Sequence, residues 1–205
     1  MIFRVQPVMS SKIRAHASRP VRVEIRRKPG LHAGQHGLML VRGRAILCAL
    51  GKAGVTSFKR EGDGCTPRGT MKVLGGYVRK DRMVTHSTPR SIKAAGIQRL
   101  QSIDTSKAAT HFGWCDEPSD ANYNRPVRLP FKASHETMQR KDALYDLVLV
   151  LDWNISQRCR NRGSAIFWHI KPDHDCGTQG CIAISKHDFA RIKSIFERPL
   201  SVVVV

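Results

Sequence analysis

From residue 21 onward the chain alternates apolar and polar positions in short runs, the pattern of strands with one face turned to a core. Val21, Val23 and Ile25 are apolar while Arg22, Glu24 and Arg26 are charged, which predicts a half-buried first strand. Two further apolar runs, Gly37–Val41 and Arg44–Leu50, flank Arg42-Gly43. A hairpin with a two-residue turn is expected there, with Cys48 as a small buried apolar residue. The segment 51–76 is rich in glycine but lacks the residue order of a phosphate-cradling loop. It reads as a long loop that closes at Thr66-Pro67-Arg68-Gly69 before a strand at Thr70–Leu74. Tyr77–Thr110 is polar and reads as a surface excursion with a short helix at Ser91–Leu100. His111–Pro126 sets Phe112, Trp114 and Tyr123 among Asp, Asn, Pro and Arg without a period. Such a loop is either a ligand-binding wall or a set of aromatics pinning the loop to the core.

The second half changes character. Ser134–Leu144 has the spacing of an amphipathic helix, and Tyr145–Trp153 is a nearly continuous apolar run, the mark of a central strand buried on both faces. A basic loop, Asn154–Arg162, separates it from a strand at Gly163–His169. Ser185 and Asp188 form a capping-box pattern, and Phe189, Ile192, Ile195 and Phe196 recur at helical spacing up to Arg198. Pro199 ends that helix and Leu200–Val205 is a closing strand. The sum is a mainly β domain over residues 21–205 with one or two helices packed on it. Met1–Pro20 precedes it as a basic, disordered leader in which no period holds.

Composition narrows this only partly. The 205 residues, 41% of them hydrophobic, suffice for one core without disulfides or metal. No apolar run approaches the length of a membrane span, and the basic N-terminus lacks the apolar centre of a secretory signal. The formal net charge of +19 predicts attraction to polyanions such as nucleic acid, an anionic membrane face or an acidic polymer. Acidic residues are interleaved with the basic ones, so a solvated basic surface accounts for the same charge. Taken alone, the charge supports a non-enzymatic protein that binds nucleic acid or another polyanion. The six cysteines show no CxxC pair, which argues against a zinc ribbon or a dense disulfide framework.

Candidate chemistry concentrates in Gly163–Ile184. His169 ends an apolar run, and Cys181 follows Gly180 after a polar, glycine-containing loop. A thiol attacks a carbonyl as thiolate, and an ordinary cysteine, with a pKa of about 8.5, supplies little of that at neutral pH without a neighbouring base. His169 at the end of one strand and Cys181 at the start of the next meet that need once the loop folds back. Gly180 lets backbone N–H groups approach an oxyanion. Two other readings stay open: His169, His174, Cys176 and Cys181 as metal ligands, although their spacing fits no standard zinc module, and a lone redox cysteine.

The segment Thr178-Gln179-Gly180-Cys181-Ile182, preceded by His169, resembles the catalytic signature of the YkuD-type L,D-transpeptidases, and Thr66-Pro67-Arg68-Gly69 resembles that family's upstream Thr-Pro-x-Gly element. The two motifs stand in family order, and the resemblance covers residues 21–205. It implies a YkuD-like β-sandwich or sheet domain that acts on peptidoglycan stem peptides in cell-wall biogenesis and cell shape, and that carbapenems target. By this resemblance Cys181 is the nucleophile, His169 the general base and then acid, and Gly180 and Cys181 the oxyanion amides. The activity implied is an L,D-transpeptidase, or an L,D-carboxypeptidase of the same mechanism. No cofactor, metal or nucleic acid is expected, and the implied location is the periplasm or cell envelope.

This sequence departs from the family where Gln179 replaces a common His, where Ala183 replaces Arg or Asn, and where Ile170 follows the histidine. The spacing of twelve from His169 to Cys181 is also short. Groups that orient the substrate are therefore sought elsewhere: Trp114, Tyr123, Asn124 and Arg125, with Arg68, whose guanidinium groups suit the carboxylates of a stem peptide. For the imidazole, a backbone carbonyl is the expected orienting group, with Asp173 as the alternative.

Overall fold

In the computed structural model, which describes residues 19–28, 35–79, 81–82, 100–103, 111–171 and 177–205, the first alternating run is β1 (Val21–Arg27), with Val21, Val23 and Ile25 buried. The expected hairpin follows as β2 (His36–Val41) and β3 (Arg44–Ala49). Its turn residues, Arg42 (φ 45°) and Gly43 (φ 72°), both have positive φ, the geometry whose twist matches the flanking strands. Cys48 is buried, as its apolar setting predicts. Two short parallel strands, β4 (Val55–Thr56) and β5 (Thr66–Pro67), organise the glycine-rich loop.

The strand after it, β6 (Gly69–Arg79), is much longer than expected. Tyr77–Arg79, read as the start of a surface excursion, instead extends β6, and β7 (Leu100–Ile103) returns beside it in parallel. Of the helix expected at Ser91–Leu100 only Leu100 lies within the described residues, where it opens β7. The leader likewise lies outside them except for Arg19 and Pro20.

Next come β8 (Phe112–Cys115), β9 (Arg125–Arg128) and β10 (His135–Thr137), a small antiparallel sheet in the order β10-β8-β9. The helix expected over Ser134–Leu144 is therefore corrected: its first residues pair as β10 with β8, Glu136 facing Trp114, and Met138 is fully buried. Tertiary pairing overrides a helical spacing that no local bond enforces. A turn follows in which the Asp142 carboxylate accepts from the Leu144 amide and Ala143 has φ 64°.

The remaining strands are β11 (Leu147–Leu151), β12 (Phe167–Ile170), β13 (Ile182–Ile184) and β14 (Leu200–Val204). Between the last two lie α1 (Lys186–Arg191) and a 3₁₀ turn (Lys193–Glu197), so the single helix expected to Arg198 tightens after its second turn. The large sheet runs β11-β12-β13-β3-β2-β1-β14-β6, and β6 pairs back onto β11, closing the strands into a ring.

Two cores result from the period of two along β11 and β12. Leu147, Leu149, Leu151, Trp168 and Ile170 face the larger one, where Trp168 stacks on Phe189 of α1 at 5.4 Å. Val148, Val150 and Phe167 face the smaller one with Trp114, Met138 and Tyr145. Burial on both faces is why the Leu147–Leu151 run carries no polar residue. Cys181 belongs to the smaller core.

Candidate active site

The strands β12 and β13 pair in parallel, with Trp168 opposite Ile182 and His169 opposite Ala183. Side chains alternate across the sheet, so His169 shares with Phe167 the face that meets the small sheet, and Cys181 joins them there. A cavity of about 350 Å³ opens on this face and is lined by both Cys181 and His169. Glu136, Arg140 and Tyr145 form one wall, and Glu61, Asp116, Ser164 and Ala165 another. Thr178 and Gln179 from the turn before Cys181 complete it.

Both reacting candidates are deeply buried, Cys181 at 7% exposure and His169 at 4%. The thiol donates to the Ala165 carbonyl (3.2 Å) and accepts from the Phe167 amide (3.4 Å). Burial pushes it up to about 12, against the pull of the Phe167 amide. The imidazole is pushed the other way, down to about 4, again chiefly by burial. Its Nδ1 lies 2.8 Å from the Ile170 carbonyl oxygen. A carbonyl only accepts, so Nδ1 carries the hydrogen there, and the Leu144 backbone is a second hydrogen-bond partner of the ring. The resting pair is a neutral thiol and a neutral imidazole. The orienting group is thus a backbone carbonyl, while Asp173 lies outside the described residues.

The two sequence motifs meet at the carbonyl of Cys181. Thr178 Oγ1 donates to it at 2.7 Å and Thr66 Oγ1 at 3.4 Å. Each hydroxyl also accepts a backbone N–H, that of Gly180 (3.1 Å) and that of Gly51 (2.8 Å) respectively. The turn is tied further through Thr178 N–H to the Leu50 carbonyl and Lys52 N–H to the Thr178 carbonyl, both 2.8 Å. Gly180 has φ 135°, and a Cβ there would stand 2.8 Å from the Cys65 carbonyl oxygen, so backbone conformation and space both demand glycine. Its N–H points at Thr178 rather than into the cavity.

The residues expected to contact a substrate are placed as follows. Trp114, Tyr123 and Asn124 are buried behind the cavity wall rather than in it. Asn124 Oδ1 accepts from Trp114 Nε1 (2.9 Å) and from the amide of Ala165 (3.1 Å), whose carbonyl holds the thiol. Tyr123 donates its hydroxyl to Glu61, and Trp114 meets Phe167 edge-on at 5.2 Å. These three buttress cavity-lining groups. Arg68 and Arg125 are exposed and stand outside the lining.

The charged groups that do line the cavity escaped the sequence reading. The Arg140 guanidinium bonds Asp142 (2.6 Å), approaches Glu136 (3.7 Å) and lies 5.2 Å from the centre of the Tyr145 ring. The Tyr145 hydroxyl is 3.4 Å from Glu136, and its ring meets His169 edge-on at 5.2 Å. Burial holds the Glu136 carboxyl above its ordinary range, opposed by Arg140. The one sequence signal was the four-residue spacing of Glu136 and Arg140, which reads equally well as a solvated helix face. Of the four possible metal ligands, His174 and Cys176 lie outside the described residues. Among the described residues no group of three His, Cys, Asp or Glu is placed to hold an ion.

Ring and site together define a closed β domain that brings one cysteine and one histidine into a single walled cavity. The sequence model of the L,D-transpeptidase catalytic domain, YkuD, matches residues 31–204, and the chain belongs to that family. No curated protein and no solved structure matches it. The family's substrate is peptidoglycan, and among the described residues no helix is long and apolar enough to cross a membrane.

Proposed function

We propose that this chain is a peptidoglycan L,D-transpeptidase of the cell envelope that uses Cys181 as nucleophile. The observation that carries the reading is the shared cavity of Cys181 and His169, with His169 Nδ1 held on the Ile170 carbonyl. The His169 imidazole takes the thiol proton as the thiolate attacks the carbonyl of the third residue of a tetrapeptide stem. The Cys181 amide stabilises the oxyanion, because the Gly180 N–H is occupied by Thr178. The intermediate collapses to a thioester, and the imidazolium gives its proton to the departing amine of D-alanine. An amine acceptor then attacks the thioester, His169 takes its proton and returns it to the sulfur, and the crosslink leaves. Water in place of the amine yields the L,D-carboxypeptidase reaction.

Burial of both partners makes their ionisation uphill, so acylation depends on groups that stabilise charge once substrate is bound. In this reading Arg140, which lines the cavity, meets a stem carboxylate, and Glu136 with Asp116 an ammonium. Arg68 and Arg125 remain contacts for the more distant parts of the polymer, and Trp114, Tyr123 and Asn124 hold the wall. Intact mass after incubation with tetrapeptide muropeptide or a carbapenem tests the reading. The wild type gains one covalent adduct, Cys181→Ala gains none, and His169→Ala acylates at least 100-fold more slowly. A wild type that gains none, or an adduct that persists in Cys181→Ala, overturns it. Crosslinked dimers against shortened stems separate transfer from hydrolysis.

A further inference from the structure

Lys59 is only 3% exposed, although it carries a charge and does not line the cavity. Its ammonium donates to Asp63 and to the Arg60 carbonyl (2.9 Å). Two glycines make room for it. A Cβ at Gly163 would stand 2.9 Å from Lys59 Cε and Cγ, and one at Gly180 would stand 3.5 Å from Nζ. Gly163 begins the segment whose Ala165 carbonyl holds the thiol, and Gly180 directly precedes the nucleophile. Asp63 in turn accepts from the amides of Arg60 (2.7 Å) and Cys65 (2.8 Å), the latter next to Thr66. A buried cation is costly to keep unless it is paired and hydrogen-bonded, as Lys59 is by Asp63 and the Arg60 carbonyl, and its field then acts on whatever lies beside it.

We propose that Lys59 is a positioning residue whose buried ammonium, set behind Gly180 and steadied by Asp63, stabilises the Cys181 thiolate. The inference rests on the proposed use of Cys181 as nucleophile. The charge acts from the backbone side of the turn, which leaves the cavity side to substrate. Of the charged and titratable groups that share the cavity with Cys181, Glu136, Asp116 and Tyr145 come from the small-sheet side, His169 from β12, Arg140 from the turn after β10, and Glu61 from the glycine-rich loop. Glu136 opposes ionisation of the thiol and Lys59 favours it. Arg140 offsets the carboxylates on the cavity side, and the Lys59 ammonium is the counter-charge on the backbone side of the thiol.

The test is the rate of Cys181 alkylation by iodoacetamide in the full chain, read peptide by peptide by mass spectrometry, with melting temperature as a check on folding. It needs no peptidoglycan, so it stands or falls separately from the substrate assignment. The rate is compared at pH 8, far below the thiol's own value, where it is proportional to the thiolate fraction. Lys59→Met, near in length and uncharged, slows alkylation about tenfold. Asp63→Asn keeps the cation and removes its neutralising partner, and speeds alkylation. A purely structural pair would change both variants the same way, because each breaks the same contact. An unchanged rate in Lys59→Met, or an equal change in the same direction in both variants, overturns the proposal. If Lys59→Met does not fold, an unchanged or slowed rate in Asp63→Asn does so.

Discussion

His169 is held neutral by its surroundings, and that has a cost the folded protein meets only in acid. Its ordinary value is 6.5 and burial lowers it to about 4 in the fold. Between these limits the unfolded chain binds a proton that the folded chain refuses, so stability falls as pH drops from 6.5 toward 4. The Cys181 thiol works in the other direction, raised by burial from 9.0 to about 12, so its contribution is lost as pH rises through that window. At 1.36 kcal/mol per unit the histidine alone accounts for roughly 3 kcal/mol across its window. Urea midpoints of wild type and His169→Asn, whose amide keeps a donor for the Ile170 carbonyl, measure this. The wild-type midpoint falls steeply from pH 6.5 to 4.5 while the variant's falls less, and parallel curves would show that the imidazole is not buried neutral.

At the scale of elements, the site is a junction between two strand ends held from behind by a helix. Ser185 Oγ accepts from the Asp188 amide at 3.0 Å and caps α1, which presses Phe189 against Trp168, the residue next to His169. Ser185→Ala removes the cap at a cost of about 1 kcal/mol. That lowers the melting temperature by about 2–4 °C in a chain of this size. Because α1 lies on the large-core face, away from the cavity, the rate of adduct formation stays unchanged; a slowed rate would mean that α1 sets the geometry of β12. This cap was legible in the sequence because its signal is local, as were the Arg42-Gly43 hairpin, the alternating β1 and the doubly buried β11. The motifs around Cys181 and His169 pointed to two residues that the fold brings to one cavity, and the reason for the Thr66 element became physical once its hydroxyl was seen on the Cys181 carbonyl. What could not be read is non-local. The pairing of β10 with β8 turns an apparent helix into a cavity wall. It places Glu136 and Arg140 beside groups far away in sequence. Trp114, Tyr123 and Asn124 have the residue types of a binding surface, and only packing shows that they support one.

For the whole molecule, the decisive feature is that the ring closes through its last strand. Along β14, Val21 faces Leu200 and Val23 faces Val202 on the parallel side, while Met71 faces Val202 on the antiparallel side. It is thus the strand that joins β1 directly to β6 in the large sheet. Leu200, Val202, Val203 and Val204 are all buried. At about 1.5–3 kcal/mol for each fully buried side chain, removing them takes away roughly 6–12 kcal/mol. That is comparable to the whole stability of a typical domain, about 5–15 kcal/mol. The loss also opens two strand edges whose N–H and C=O groups had partners, an invitation to pair with other chains. The site feels this from a distance. β6 continues from the Thr66 element into the pairing with β11, so an opened ring frees the segment that holds the Cys181 carbonyl. Deletion of residues 200–205 is therefore expected to abolish cooperative thermal unfolding, drive the chain into aggregates on size-exclusion chromatography and eliminate adduct formation together. The milder Val202→Asp places one carboxylate in the large core and should lower the melting temperature sharply without changing the site's own residues. A truncated chain that stays monomeric, melts cooperatively and still forms the adduct would show that β6 and β11 hold the site without the closed ring.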